Sequence, residues 1–319
     1  MPDLPLTRPE IEQAAERLSP HLPPTPLLRA PDLDTFRDHP LWLKAESLQR
    51  TGSFKARGAL NWLLTASDDE LANGLITVSA GNHAMALAWA GARRQVPVTV
   101  VMPEAASPMK VARTRELSGH VILHGGIQEA VAECHRLREE YDLTLVHPYN
   151  DLRVMAGQGT VGLELLEQQP DLNRIVCPIG GGGLISGLGV AVKAVRPDIT
   201  VIGVEPAGAG TMRNAWQQQD ATASLSTVTT WAGSLAPAVV GEHTYRVSRS
   251  VVDDIVTVSE AAIVEATREL LTRARLMVEP GAAVGLAALL EDRVPSAVDE
   301  GAALIITGGN ADLNQIATI

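Results

Sequence analysis

Short apolar runs rich in Val, Ile and Leu recur along the chain, and between them apolar residues return every three or four positions. The first pattern fits strands buried on both faces, and the second fits amphipathic helices. Strands are predicted at 41–44, 75–78, 98–102, 120–123, 174–178, 200–204, 255–258 and 302–306. Helices are predicted at 82–92, 128–140, 155–168, 184–195 and 260–274. Their alternation predicts an α/β protein wound around mainly parallel sheets. The stretch 207–241, rich in Gly, Ala, Ser and Thr, follows neither period and reads as loops over a pocket. No repeat, coiled-coil pattern or low-complexity linker interrupts the chain.

Composition narrows the choice of partners. The 319 residues are 45% apolar, enough to bury a substantial core. A net charge of −11 without a basic block argues against nucleic acid and anionic lipid. No apolar run approaches the ~20 residues that span a bilayer, so no membrane association is expected. The opening Met1-Pro2-Asp3-Leu4 does not read as a secretory leader, and a cytoplasmic location is expected. Cys134 and Cys177 are too few for a disulfide framework or a cysteine zinc site. Lysine occurs only at Lys44, Lys55, Lys110 and Lys193, so any amine chemistry must come from these four.

Four motifs fall at or near the carboxyl ends of predicted strands, where wound sheets place their ligands. Gly180-Gly181-Gly182-Gly183 lies between the strand 174–178 and the helix 184–195, leaving N–H groups unobstructed at a helix start. That favours a bound phosphate, whereas a simple tight turn needs only one or two glycines. No Lys-Ser or Lys-Thr pair follows, so this is not a P-loop. The Gly-x-Gly-x-x-Gly match at Gly157, Gly159 and Gly162 follows no clear strand and reads as coincidence. Thr51-Gly52-Ser53-Phe54-Lys55-Ala56-Arg57-Gly58 places a lysine between a turn and an apolar stretch, where desolvation would lower its pKa. Taken alone, such a lysine is more often a solvated surface residue. Ser79-Ala80-Gly81-Asn82-His83 opens a helix with donors suited to a carboxylate, although an ordinary N-cap reads the same way. Thr307-Gly308-Gly309-Asn310 closes the strand 302–306.

In order and spacing these segments resemble the fold-type II pyridoxal-phosphate enzymes, and among them the threonine/serine dehydratases and serine racemases. Thr25-Pro26-Leu27, Glu46-Ser47-Leu48-Gln49, Ala156-Gly157-Gln158-Gly159-Thr160, Val204-Glu205-Pro206 and Val278-Glu279-Pro280 extend the likeness over almost the whole chain. The resemblance implies two wound α/β domains with the cofactor in the cleft between them: a large one of residues 1–48 and 147–319, and a small one of residues 49–146. It implies pyridoxal 5'-phosphate held covalently by Lys55, with Phe54 beside the ring, Asn82 on its 3-hydroxyl and Thr307 at its pyridine nitrogen. Gly180, Gly181, Gly182, Gly183 and the N–H of Leu184 would hold the phosphate. Ser79, Gly81, Asn82 and His83 would receive the substrate carboxylate. The activity implied is loss of water and ammonia from a small L-hydroxy amino acid, threonine or serine, in a homo-oligomer.

Several positions refine that expectation. Ala56 follows the lysine as in dehydratases and racemases, where threonine and cysteine synthases usually carry Asp. Ala80 stands where similar racemases have a serine acid/base, which favours dehydration over racemisation. Gly233 stands where relatives usually have Asp, and Trp231 is bulky for its place, so 3-hydroxyaspartate and phenylserine enter as alternative substrates. Glu205 and the Ala209 carbonyl match two ligands of a cation site, but Thr211 replaces the expected Asp. A monovalent cation there, or none, is as well supported as a divalent one. The chain has no room after Asn310 for a regulatory domain, so feedback control is not expected. A binding protein that has lost the reaction is the alternative of another class.

Overall fold

The computed structural model describes residues 4–36, 40–294 and 301–319. Its strands are β1 (Leu27–Arg29), β2 (Leu41–Lys44), β3 (Leu75–Val78), β4 (Val98–Met102), β5 (Gly119–Leu123), β6 (Thr144–Leu145), β7 (Arg174–Pro178), β8 (Thr200–Pro206), β9 (Asp254–Val258) and β10 (Ala302–Ile305). They form a larger sheet, ordered β1-β2-β10-β7-β8-β9, and a smaller one, ordered β5-β4-β3-β6. Every neighbouring pair is parallel except β1 against β2. Among the described residues, no helix is long and apolar enough to cross a membrane.

All eight predicted strands are present with small shifts at their ends, and β1 and β6 are additions. The region 207–241 is more regular than expected, holding the helix Thr211–Gln218 and two 3-10 turns, Ala207–Ala209 and Gly233–Leu235. The helix Pro280–Leu290 also escaped the hydrophobic pattern. Pro280 through Leu289 are all buried, so the segment has no polar face to set a period.

Three helices position the site. Lys55–Thr65 starts at the candidate lysine, Leu152–Gln168 lies against it, and Gly183–Lys193 starts at the tetraglycine. Their backbones touch through glycine. A Cβ on Gly157 would lie 2.7 Å from the Arg57 carbonyl oxygen and from Gly58 Cα. One on Gly187 would lie 2.2 Å from the Met155 carbonyl oxygen, and one on Gly159 would lie 2.8 Å from that of Gly187. The Gly157-x-Gly159-x-x-Gly162 pattern lies inside a helix as a packing surface, so its match to a dinucleotide fingerprint is the coincidence that the sequence suggested.

A buried charge cluster fastens the first of these helices. Arg57 donates to Glu46 at 2.8 Å from both Nε and Nη2, and to Glu164 at 2.6 and 2.9 Å. Lys44 donates to Glu164 at 2.6 Å and to the Thr25 carbonyl at 2.8 Å. Two cations thus meet two carboxylates, which is how such groups are tolerated away from water.

Candidate active site

Lys55 opens its helix two 3-10 turns beyond β2 rather than directly at a strand end. The turn before it is fastened to the segment after β10. Ser53 bridges Gly308, the Phe54 N–H donates to the Thr307 carbonyl at 3.2 Å, and the Gly309 N–H donates to that of Gly52 at 2.9 Å. Asn310 then ties three motifs together. Its amide donates to the Thr51 carbonyl at 2.7 Å and to Asn82 Oδ1 at 2.8 Å. Gly52, at φ +75°, lies so close that an added Cβ would sit 2.5 Å from Asn310 Oδ1, so both conformation and space require glycine there.

The lysine amine donates to the Pro148 carbonyl at 2.7 Å and lies 5.1 Å from the centre of the Phe54 ring. Among the described residues it makes no ion pair, whereas Lys44, Lys110 and Lys193 each face a carboxylate. Burial lowers its pKa from 10.5 to about 8, against the opposing pull of Glu279. An amine in that range is neutral in part near physiological pH, as carbonyl chemistry and proton abstraction both require.

Asn82 begins its helix directly beyond the turn after β3 and is 7% exposed. Its amide nitrogen donates to Glu279 Oε1 at 2.6 Å. Glu279 Oε2 is buried without a hydrogen-bond partner, with Lys110 Nζ 3.7 Å away. In the same turn, the Gly81 N–H donates to Ser79 Oγ at 3.3 Å. The His83 ring donates from Nε2 to the Val146 carbonyl at 3.2 Å, which leaves Nδ1 as a buried acceptor with no partner. Burial first, then Lys55 and His147, lower the His83 pKa to about 3, so the ring is neutral.

The tetraglycine connects to the lysine through Tyr149. A Cβ on Gly181 would lie 2.2 Å from Cγ of the Tyr149 ring, and one on Gly183 would lie 3.1 Å from its backbone. The residue before that tyrosine supplies the carbonyl that holds Lys55. Gly182 adopts φ +89°, so packing and conformation explain Gly181 and Gly182 without a ligand. The phosphate reading rests on the first-turn N–H groups of Gly183–Lys193, which have no carbonyl partner within the helix. Tyr149 and Glu279 are the two residues here that sequence reasoning did not place in the site. Val278-Glu279-Pro280 was visible as a segment, but nothing in it announced a contact with Asn82.

Glu205, the carboxylate expected at a cation site, is engaged within the protein. Its oxygens accept from the Met212 N–H at 2.7 Å and the Arg213 N–H at 2.9 Å, capping the helix Thr211–Gln218. Thr211 donates to the Pro237 carbonyl at 2.7 Å and approaches that of Ala209 at 3.5 Å. Among the described residues no group of three or more His, Cys, Asp or Glu side chains could hold a metal.

A buried lysine of lowered pKa, fastened beside the helix start that carries Asn82 and linked through Pro148 and Tyr149 to the glycine-rich helix start, suits lysine–carbonyl cofactor chemistry. The orphaned polar atoms of His83 and Glu279 fit a ligand that completes the site. Residues 18–308 match the pyridoxal-phosphate dependent enzyme family, and the chain belongs to it. It is 40% identical over 310 residues to an L-threonine ammonia-lyase of Geobacter sulfurreducens, covering 97% of this chain and 77% of that one. It is 38% identical over 311 residues to a serine racemase of Oryza sativa, covering 96% and 91% of the two chains. The structure of maize serine racemase superposes with a TM-score of 0.93 at 35% identity, covering 98% of this chain and 96% of that one. Fold type II, pyridoxal phosphate and an amino-acid substrate class follow from this membership.

Proposed function

We propose that the enzyme is an ammonia-lyase that dehydrates and deaminates L-threonine, L-serine or a related L-3-hydroxy amino acid to a 2-oxo acid. The observation that carries this reading is the position of Lys55, a buried amine of lowered pKa where the cleft motifs meet. The cofactor, when bound, supplies the electron withdrawal that makes the Cα proton of an attached amino acid acidic. Lys55 holds the cofactor and, once displaced by substrate, takes that proton. Gly180, Gly181, Gly182, Gly183 and the Leu184 N–H bind the phosphate, while Phe54, Asn82 and Thr307 orient the ring. Ser79, Gly81, Asn82 and His83 receive the substrate carboxylate. We assign residues 1–48 and 147–319 to the large domain and 49–146 to the small one. The two sheets support this division, since β1, β2 and β7 to β10 build the larger and β3 to β6 the smaller.

Release of 2-oxo acid from L-threonine and L-serine tests the reading. Lys55→Ala should lower the rate at least about 100-fold, and retained turnover would remove Lys55 from the mechanism. Serine racemisation is the second reading, favoured by the similar proteins named for it. Ala80 carries no proton to deliver to the opposite face, so chiral analysis of recovered serine should show little D-isomer. D-serine accumulating faster than 2-oxo acid would reverse the order of the two readings.

A further inference from the structure

Of the chain's lysines, Lys110 is the one whose ammonium group makes no hydrogen bond among the described residues. Lys44 donates to Thr25, Glu164 and Gln168, Lys55 to Pro148, and Lys193 to Pro197 and Asp253. Lys110 Nζ has an ion pair instead, with Glu279 Oε2 3.7 Å away. That oxygen is buried and accepts no hydrogen bond either. The Lys110 side chain is only 18% exposed, so its three donors are poorly placed to turn to water. A largely buried ammonium and a buried carboxylate oxygen, both short of partners, mark a place for a ligand.

Lys110 lies against the turn that opens the helix Asn82–Arg93. A Cβ on Gly81 would lie 3.7 Å from Lys110 Nζ and 3.9 Å from its Cδ, and would meet nothing else within 4 Å beyond the adjoining residues. Glu279 joins the same corner, taking the Asn82 amide at 2.6 Å through its other oxygen. The lysine is held there from two directions. Its helix, Pro108–Glu116, packs against Asn82–Arg93, and Ser107 just before it donates to Asp312 at 2.8 Å. Lys110 belongs to none of the motifs that carry the family resemblance.

We infer that Lys110 recognises the α-carboxylate of the substrate, so that the enzyme selects free amino acids over their amides. This rests on the reading of Ser79, Gly81, Asn82 and His83 as the turn that receives this carboxylate, to which it adds a charge. N–H groups at a helix start accept neutral and anionic oxygens alike, whereas an ammonium group strongly favours the anion. An amino acid bound at this turn also brings negative charge toward Glu279, and the two repel each other unless a cation stands by. Lys55 is committed to the cofactor. Lys110 has three donors, enough to stay with Glu279 and hold a carboxylate at once.

The test measures binding of glycine and glycinamide to the wild-type holoenzyme, Lys110→Met and Lys110→Arg, from the absorbance change of the bound cofactor. Glycine has no β-hydroxyl to lose, so the measurement is independent of the lyase reaction. Wild type should prefer glycine. Lys110→Met should weaken glycine binding roughly 10- to 100-fold, as loss of a charge-assisted hydrogen bond does. Glycinamide should change by less than about threefold, and Lys110→Arg should recover most of the preference. Lys110→Gln, which can still donate to Glu279, repeats the comparison if Lys110→Met loses its cofactor. An unchanged ratio of the two affinities in the uncharged variant overturns the inference and leaves the turn as the carboxylate site. Equal losses on both ligands overturn it too, since they show a structural role alone. An arginine variant no better than methionine overturns the role of charge. Wild-type enzyme that binds both ligands alike removes the inference together with the carboxylate reading of the turn. The expected pattern without 2-oxo acid from L-serine or L-threonine upholds the inference and removes the lyase reading.

Discussion

The groups nearest Lys55 are neutral or held at a distance, and this shapes how the protein responds to acid. His83 and His147 have pKa values lowered to about 3 and about 4, in each case first by burial and then by the positive charge of Lys55. A histidine that titrates near 6.5 when unfolded and near 3 when folded takes up its proton first in the unfolded chain. Its contribution to stability is complete above pH 6.5 and is lost as the pH falls toward 3. The thermal midpoint should therefore drop over that interval. His83→Gln should flatten the drop, with His147 retaining its own share, and melting curves across the pH series check both. At this scale, Lys55, Asn82 and the tetraglycine could be read from the chain because each sits in a short run of distinctive residues. Glu279 could not, because a Glu before Pro at a helix start is ordinary and only the fold brings it to Asn82.

Among the elements, the glycine contacts are the least forgiving. A methyl group on Gly187 would press on the Met155 carbonyl oxygen and on the backbone of Gly159, neither of which can rotate away. Gly187→Ala should cost about 1–3 kcal/mol of stability, the range for overpacking. It should also weaken cofactor binding, because it separates the helices that begin at Lys55 and at Gly183. Urea denaturation and a cofactor titration read the two effects. Two of the hidden helices share a physical cause. Lys55–Thr65 is buried from Ala56 through Leu63 and Pro280–Leu290 is buried almost throughout, so neither shows the polar stripe that marks a helix. β1 and β6 are too short to produce a pattern of their own.

For the whole molecule, Lys55 and Asn82 begin helices that pack around the smaller sheet, and the tetraglycine begins one that packs in the core of the larger. A ligand holding all three links the two halves, so the holoenzyme should melt above the cofactor-free protein. With free cofactor at 100 times its dissociation constant the gain should be about 2.7 kcal/mol. A midpoint that does not move on titration would show that the cofactor engages only one half. The strands were legible because parallel strands buried on both faces leave continuous apolar runs, as at Val98–Met102, whereas their division between two sheets left no mark in the hydrophobic pattern.

The helix Leu152–Gln168, lying backbone to backbone against its two neighbours, works as a gauge block for the enzyme. Side chains can repack when a structure is compressed, warmed or altered over generations, but main chain resting on main chain has nothing left to yield. The spacing between amine and anion cradle should accordingly be among the least compressible dimensions of the protein. Adaptation to cold, heat or depth would then leave Gly157, Gly159 and Gly187 in place.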